Sequence, residues 1–143
     1  MSGNHTSTTN KNKEFLIKEL KLSQYRNSTI FENKDYFVLS PSIQNKNNWF
    51  DLRQINLEKL PKEKKGKLLI RLYDDFILID LRKFMTDLLD NDPYDTTNSG
   101  IHWKFQIKEV EGKRMYIFNT KTKKKFFIEK IDKNKVLMNF FRV

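Results

Sequence analysis

Cysteine is absent from the 143 residues, so neither disulfides nor thiolate metal centres hold this chain together. Histidine occurs only at His5 and His102, too few for an imidazole-based zinc site. The 4 glycines make no glycine-rich phosphate loop. No apolar run approaches the roughly 18 residues that span a bilayer. The opening stretch, MSGNHTSTTNKNK, lacks the apolar core of a signal peptide, so the expected location is the cytoplasm. On that expectation the glycosylation-type matches at Asn4 and Asn27 read as chance in an Asn-rich chain.

What is present is aromatic and basic. Phenylalanine alone supplies 12 residues, enough to exclude a wholly disordered chain. The length suits one domain with its own core. A polar arm is expected at residues 1–11, and a single α+β domain over 12–143. The net charge of +10 is unevenly spread. Residues 1–73 carry +7, residues 74–95 carry −5 and residues 96–143 carry +8. Two basic flanks around an acidic centre are suited to phosphate chains, because cations release condensed counterions. A solvated Lys-rich surface has the same composition.

The expected fold class is α+β: a mixed, mostly antiparallel sheet, an N-terminal helix, one central helix and a C-terminal β-meander. Asn12 is a candidate N-cap for a helix over 13–25, and Phe15, Leu16, Ile17, Leu20 and Leu22 give it an apolar side. Residues 35–40 read as a strand stopped by Pro41, and 49–53 as a short alternating strand. Residues 54–60 also fit a helical turn. Residues 67–73 and 76–80 form a hairpin pattern whose consecutive apolar positions predict burial on both faces. Leu81, Phe84, Met85, Leu88 and Leu89 mark a helix that Asp92-Pro93 ends. Meander strands are expected at 101–110, 114–119, 125–131 and 136–141. Most aromatics sit in apolar runs and are expected in the core.

Three groups of residues carry candidate chemistry. Asp51 and Arg53 are two apart on a strand and so share a face. With Asp35 as the second acid, Asp51 is placed to hold Mg²⁺ and a polarised water against a phosphodiester. A strand-face ion pair has the same pattern. The second group is the basic C-terminal third: Lys104, Lys108, Lys113, Arg114, Lys121, Lys123, Lys124 and Lys125. Lysine suits phosphate contact and predicts affinity with modest sequence discrimination. The third is Gly100-Ile-His-Trp-Lys104, where Trp103 and Phe105 alternate into the core and His102 and Lys104 turn outward together.

The run Trp49-Phe-Asp-Leu-Arg-Gln-Ile-Asn-Leu57, with the hairpin, helix and 98–105 segment after it, resembles the catalytic region of PD-(D/E)xK restriction endonucleases. That resemblance covers residues 35–110 and implies a Mg²⁺-dependent nuclease acting on double-stranded DNA, as a homodimer or within a larger restriction complex. It gives Asp35, Asp51 and Arg53 catalytic places, with the metal on Asp35 and Asp51. Arg53 stands where the family has lysine, and arginine does not deprotonate near neutral pH, which favours binding over proton transfer. The expected function is therefore DNA binding of a restriction or phage-defence type, catalytic or as a recognition domain. The alternatives are a non-catalytic nucleic-acid module and a protein-interaction factor that uses the acidic centre.

Overall fold

Consecutive apolar residues in a strand need cover on both faces, and that requirement sets the layers of this molecule. The computed structural model describes residues 12–43, 48–89, 100–110 and 114–141. The first sheet comprises β1 (Ser23–Gln24), β2 (Ile30–Glu32), β3 (Tyr36–Leu39), β5 (Lys65–Arg71) and β6 (Phe76–Asp80), in the order β1-β2-β3-β5-β6. Only β3 and β5 are parallel, with Val38 opposite Lys67; the other pairs are antiparallel. Between β3 and β5 the chain leaves this sheet to form β4 (Trp49–Arg53) and the short helix α2 (Gln54–Leu57). β4 belongs to a second, antiparallel sheet with β7 (His102–Val110), β8 (Arg114–Asn119) and β9 (Lys125–Ile128), in the order β4-β7-β8-β9.

Alternate side chains of the first sheet feed two separate cores. Ile30, Phe37, Leu39, Leu68, Ile70, Ile77 and Ile79 pack towards the second sheet, where they meet Phe50, Leu52, Phe105, Ile107 and Ile117. Helix α3 (Leu81–Leu88) joins this core through Leu81, Phe84 and Leu88. Asp80 caps α3 by accepting from the Lys83 amide at 3.3 Å. The opposite side chains, Phe31, Tyr36, Val38, Leu69 and Phe76, pack against helix α1 (Phe15–Glu19) and helix α4 (Lys133–Phe140). The hairpin is thus buried on both faces, as its apolar run predicts.

The fold is α+β with mixed, mostly antiparallel pairing, and three details differ from the sequence expectation. The sheet is two sheets, because β4 pairs with β7 and not with β3. The N-terminal helix stops at Glu19, since Lys21 takes a left-handed φ of 60° and β1 begins at Ser23. Asn12 sits within the helical stretch, and its side-chain amide donates to the Leu72 carbonyl at 3.0 Å. Residues 136–141 are not a fourth meander strand; they fall in and just after α4. Asp132 caps that helix through the Lys135 amide at 2.9 Å, and Val136 and Phe140 bury one side of it. The expected arm at 1–11 and the Asp92-Pro93 stop lie outside the described residues. No helix among the described residues is long and apolar enough to cross a membrane.

Arg71, at the end of β5, is 5% exposed. Its Nη2 donates to the Ser40 carbonyl at 3.0 Å and its guanidinium sits 5.6 Å from the Phe31 ring, while Nε and Nη1 have no hydrogen-bond partner among the described residues. Burial pushes its pKa well below the ordinary arginine value, down to about 10. Holding the charge at neutral pH therefore costs about 3 kcal/mol relative to the unfolded chain. That cost is fully present below about pH 10 and is relieved as the pH climbs towards the unfolded value. Arg71→Met should accordingly raise stability by about 1–3 kcal/mol in urea melts at pH 7. A loss of similar size would mean that the charge is compensated in solution.

Candidate nucleic-acid interface

The second sheet gives only one face to the core. On β4, Phe50 and Leu52 are buried while Trp49, Asp51 and Arg53 turn away. On β7, Phe105 and Ile107 are buried and His102, Lys104, Gln106 and Lys108 alternate with them. On β8, Met115, Ile117 and Asn119 are buried, and Tyr116 and Phe118 lie on the other face. On β9, Lys125 and Phe127 are exposed, while Phe126 and Ile128 pack against the core.

Strand register arranges these outward residues in rows. Trp49 is opposite Gln106, Gln106 opposite Phe118, and Phe118 opposite Lys125. Beside that row, Lys108 is opposite Tyr116 and Tyr116 opposite Phe127. On the other side Asp51 faces Lys104, and Arg53 faces His102. The result is a surface on which rings and lysines are interleaved.

The lysines cap the rings. Lys104 Nζ is 4.9 Å from the Trp49 ring centroid, Lys108 Nζ 4.8 Å from Phe118, and Lys125 Nζ 4.9 Å from Tyr116. Lys123 Nζ approaches Phe118 as well, at 5.6 Å. Tyr116 also meets Phe118 and Phe127 edge-on, with centroids 6.4 and 5.8 Å apart, and Phe127 is 55% exposed. An exposed cation–π contact is worth about 0.5–1 kcal/mol, whereas a nucleobase stacked on an aromatic side chain is worth about 1–3 kcal/mol. The ammonium caps are thus weaker contacts than the stacking that such rings can make.

A buried asparagine positions the turn that carries the densest cations. Asn119 is 2% exposed; its amide donates to the Leu88 carbonyl at 2.8 Å, and its Oδ1 accepts from the Lys121 and Thr122 amides at 3.0 and 3.2 Å. The Thr120 hydroxyl donates to the Lys104 carbonyl at 3.1 Å, tying the turn to β7. Lys123 holds a left-handed φ of 69° within it. Lys121, Lys123 and Lys124 are thus presented beside the open face by a turn anchored to the end of α3. At the far end, His102 Nδ1 lies 3.1 Å from the Gly100 carbonyl. A carbonyl only accepts, so this contact selects the Nδ1-protonated tautomer. Gly100 itself has φ +84°, and a Cβ built there would lie 3.7 Å from Arg53 Nη2.

Of the residues singled out by sequence, Arg53, His102, Lys104, Lys108 and Lys125 share this face with Asp51. Lys113 lies outside the described residues, and Arg114 opens β8 with only its backbone described. Asp35 does not join them: it precedes β3 in the first sheet, where its carbonyl accepts from the Lys65 amide at 2.9 Å. Pairing of strands does not bring Asp35 to Asp51, and among the described residues no group of three His, Asp or Glu is set to hold a metal ion. The expectation that the aromatics are core is corrected for Trp49, Tyr116, Phe118 and Phe127. The signal for two of them is in the sequence, since Met-Tyr-Ile-Phe-Asn over 115–119 alternates two sets of side chains. A separate cleft of about 620 Å³ opens between β6 and β9. Its lining includes the carboxylates of Asp80 and Glu129 beside Lys83, so it lacks the basic character of the open face.

Comparison with protein-family models, curated proteins and solved structures finds no match. Asn119→Ala leaves the Leu88 carbonyl and two turn amides without their partner, so it should cost about 2–4 kcal/mol in chemical denaturation. Asn119→Asp keeps the two accepting contacts but sets a carboxylate oxygen against the buried Leu88 carbonyl, so it should lose at least as much.

Proposed function

We propose that the outer face of β4-β7-β8-β9 binds nucleic acid. The observation that carries this reading is the interleaving of lysines with outward-facing rings across adjacent strands, beside a turn bearing three further lysines. Phosphates take the ammonium groups and bases take the rings. A merely solubilising surface needs the lysines but has no use for the aromatic side chains. Lysine predominates over arginine, which supports binding with modest sequence preference.

The restriction-type endonuclease reading asks for more, namely Mg²⁺ held by Asp35 and Asp51. Asp35 stands just before β3 of the first sheet whereas Asp51 is on β4 of the second, and arginine at position 53 suits phosphate contact better than proton transfer. Both points favour binding without hydrolysis. Asp51 is then an anion on a phosphate-binding face, so Asp51→Asn should tighten binding about two- to fivefold by removing a like-charge contact. Mg²⁺-dependent cleavage of DNA that Asp51→Ala abolishes would favour the endonuclease instead.

Salt-titrated fluorescence anisotropy with a labelled oligonucleotide tests the binding itself. About four phosphate contacts give a log–log salt slope near −3 to −4. Replacing Lys104, Lys108 and Lys125 together by glutamine should flatten that slope by about 2. Absence of binding at low salt, or a slope unchanged in the triple variant, removes the proposed face.

A further inference from the structure

We infer that the strand this face takes is single, with unpaired bases stacked on Trp49, Tyr116 and Phe118. This deepens the nucleic-acid reading above and rests on it. The argument starts from the caps. At Trp49, Phe118 and Tyr116 a flexible ammonium is seated over a ring face, 4.8–4.9 Å from the centroid, so each of these faces is held by a side chain that can swing aside and is not packed into the core. A duplex has no base faces to offer such rings, because its bases are stacked on one another; only phosphates and groove edges reach a flat surface. A single strand offers every base face.

The shape of the surface agrees. A protein reads the major groove with a projecting helix or two-stranded ribbon. Here α1 and α4 pack beyond the first sheet, α3 packs into the core between the sheets and the single turn of α2 buries Leu57 in that same core, so no described helix of two turns or more projects from this face. Ring spacing points the same way. Tyr116 and Phe118 are 6.4 Å apart, and Tyr116 and Phe127 5.8 Å apart. These steps are wider than the roughly 3.4 Å rise of a stacked strand. Bases seated on successive rings are therefore separated from one another, as in an extended single strand. The capping lysines move from ring to phosphate on binding, so the same side chains serve both the free and the bound state.

The test compares three ligands of about 12 nucleotides, within the roughly 4–16 that sheet-based single-strand sites cover. They are single-stranded oligo-dT, the duplex of the same length, and an abasic strand with phosphates and sugars only. Oligo-dT should bind at least tenfold more tightly than the abasic strand and than the duplex. Phe118→Leu keeps apolar volume but removes the ring; it should weaken oligo-dT about 5- to 150-fold and leave the abasic strand unchanged. In a Trp103→Phe background, oligo-dT should quench the fluorescence of Trp49 and the abasic strand should not. Circular dichroism confirms that each variant is folded. Oligo-uridine replaces oligo-dT to report the sugar preference, with the same ring dependence expected. Equal binding of oligo-dT and abasic strand, or preference for the duplex, overturns the single-strand inference and leaves nucleic-acid binding standing. No binding of any ligand at low salt overturns both.

Discussion

Double-sided burial of the first sheet is the constraint on which the rest of this structure depends. Its strands carry apolar residues on both faces, so neither face is allowed to meet water. One side consumes α1 and α4, and the other consumes α3 and the inner face of the second sheet. Nothing among the described helices is left to cover the second sheet from outside. An antiparallel sheet tolerates this when its residues alternate, and β4, β7, β8 and β9 do alternate. The open face is thus a consequence of how the core was filled.

What occupies that face is less forced. Any polar residue keeps an exposed sheet face soluble, and β7 supplies His102, Lys104, Gln106 and Lys108 in that role. Tyr116, Phe118, Phe127 and Trp49 do the opposite, since they place apolar area at the surface. Lysine stems and heads shield three of these rings, and the ammonium–ring contacts stabilise the shield by only about 0.5–1 kcal/mol each. Such a cover is both weak and basic, which is what the proposed nucleic-acid face asks of it.

Legibility in the sequence followed how local the determining interaction is. The hairpin of β5 and β6 and helix α3 were readable because a tight turn, an N-cap at Asp80 and a stripe at helical spacing are contiguous signals. The outward pairing of His102 with Lys104 was readable because period two is set by the strand itself. Residues 136–141 misled because Val-Leu-Met-Asn-Phe-Phe is apolar enough for a strand; Asp132 as a cap and the Val136–Phe140 spacing were the better guide. The short strands β1 and β2 exist only through pairing with β3, so no run of their own announces them. Division into two sheets depends on β4 choosing β7, some 50 residues on, over its sequence neighbour β3. The surface rings were hidden for the same reason: which face of β8 is inner is decided by β7 and the core.

Arg71 and the open face show the two ways this chain handles positive charge. Arg71 is taken from water with one hydrogen bond and an aromatic neighbour, at a net cost to the fold. The lysines of the second sheet stay solvated and lose little by waiting. Charge that is costly to bury and inexpensive to expose belongs where a ligand can reach it. Lys104 and Lys108 on β7, Lys125 on β9 and Lys121, Lys123 and Lys124 in the Asn119-anchored turn all stay clear of the interior. Asn119 is the reverse case, a neutral polar group buried so that the cations after it need not be. The cost of ordering that turn is offset by its three hydrogen bonds, which place the lysines at the surface beside the open face.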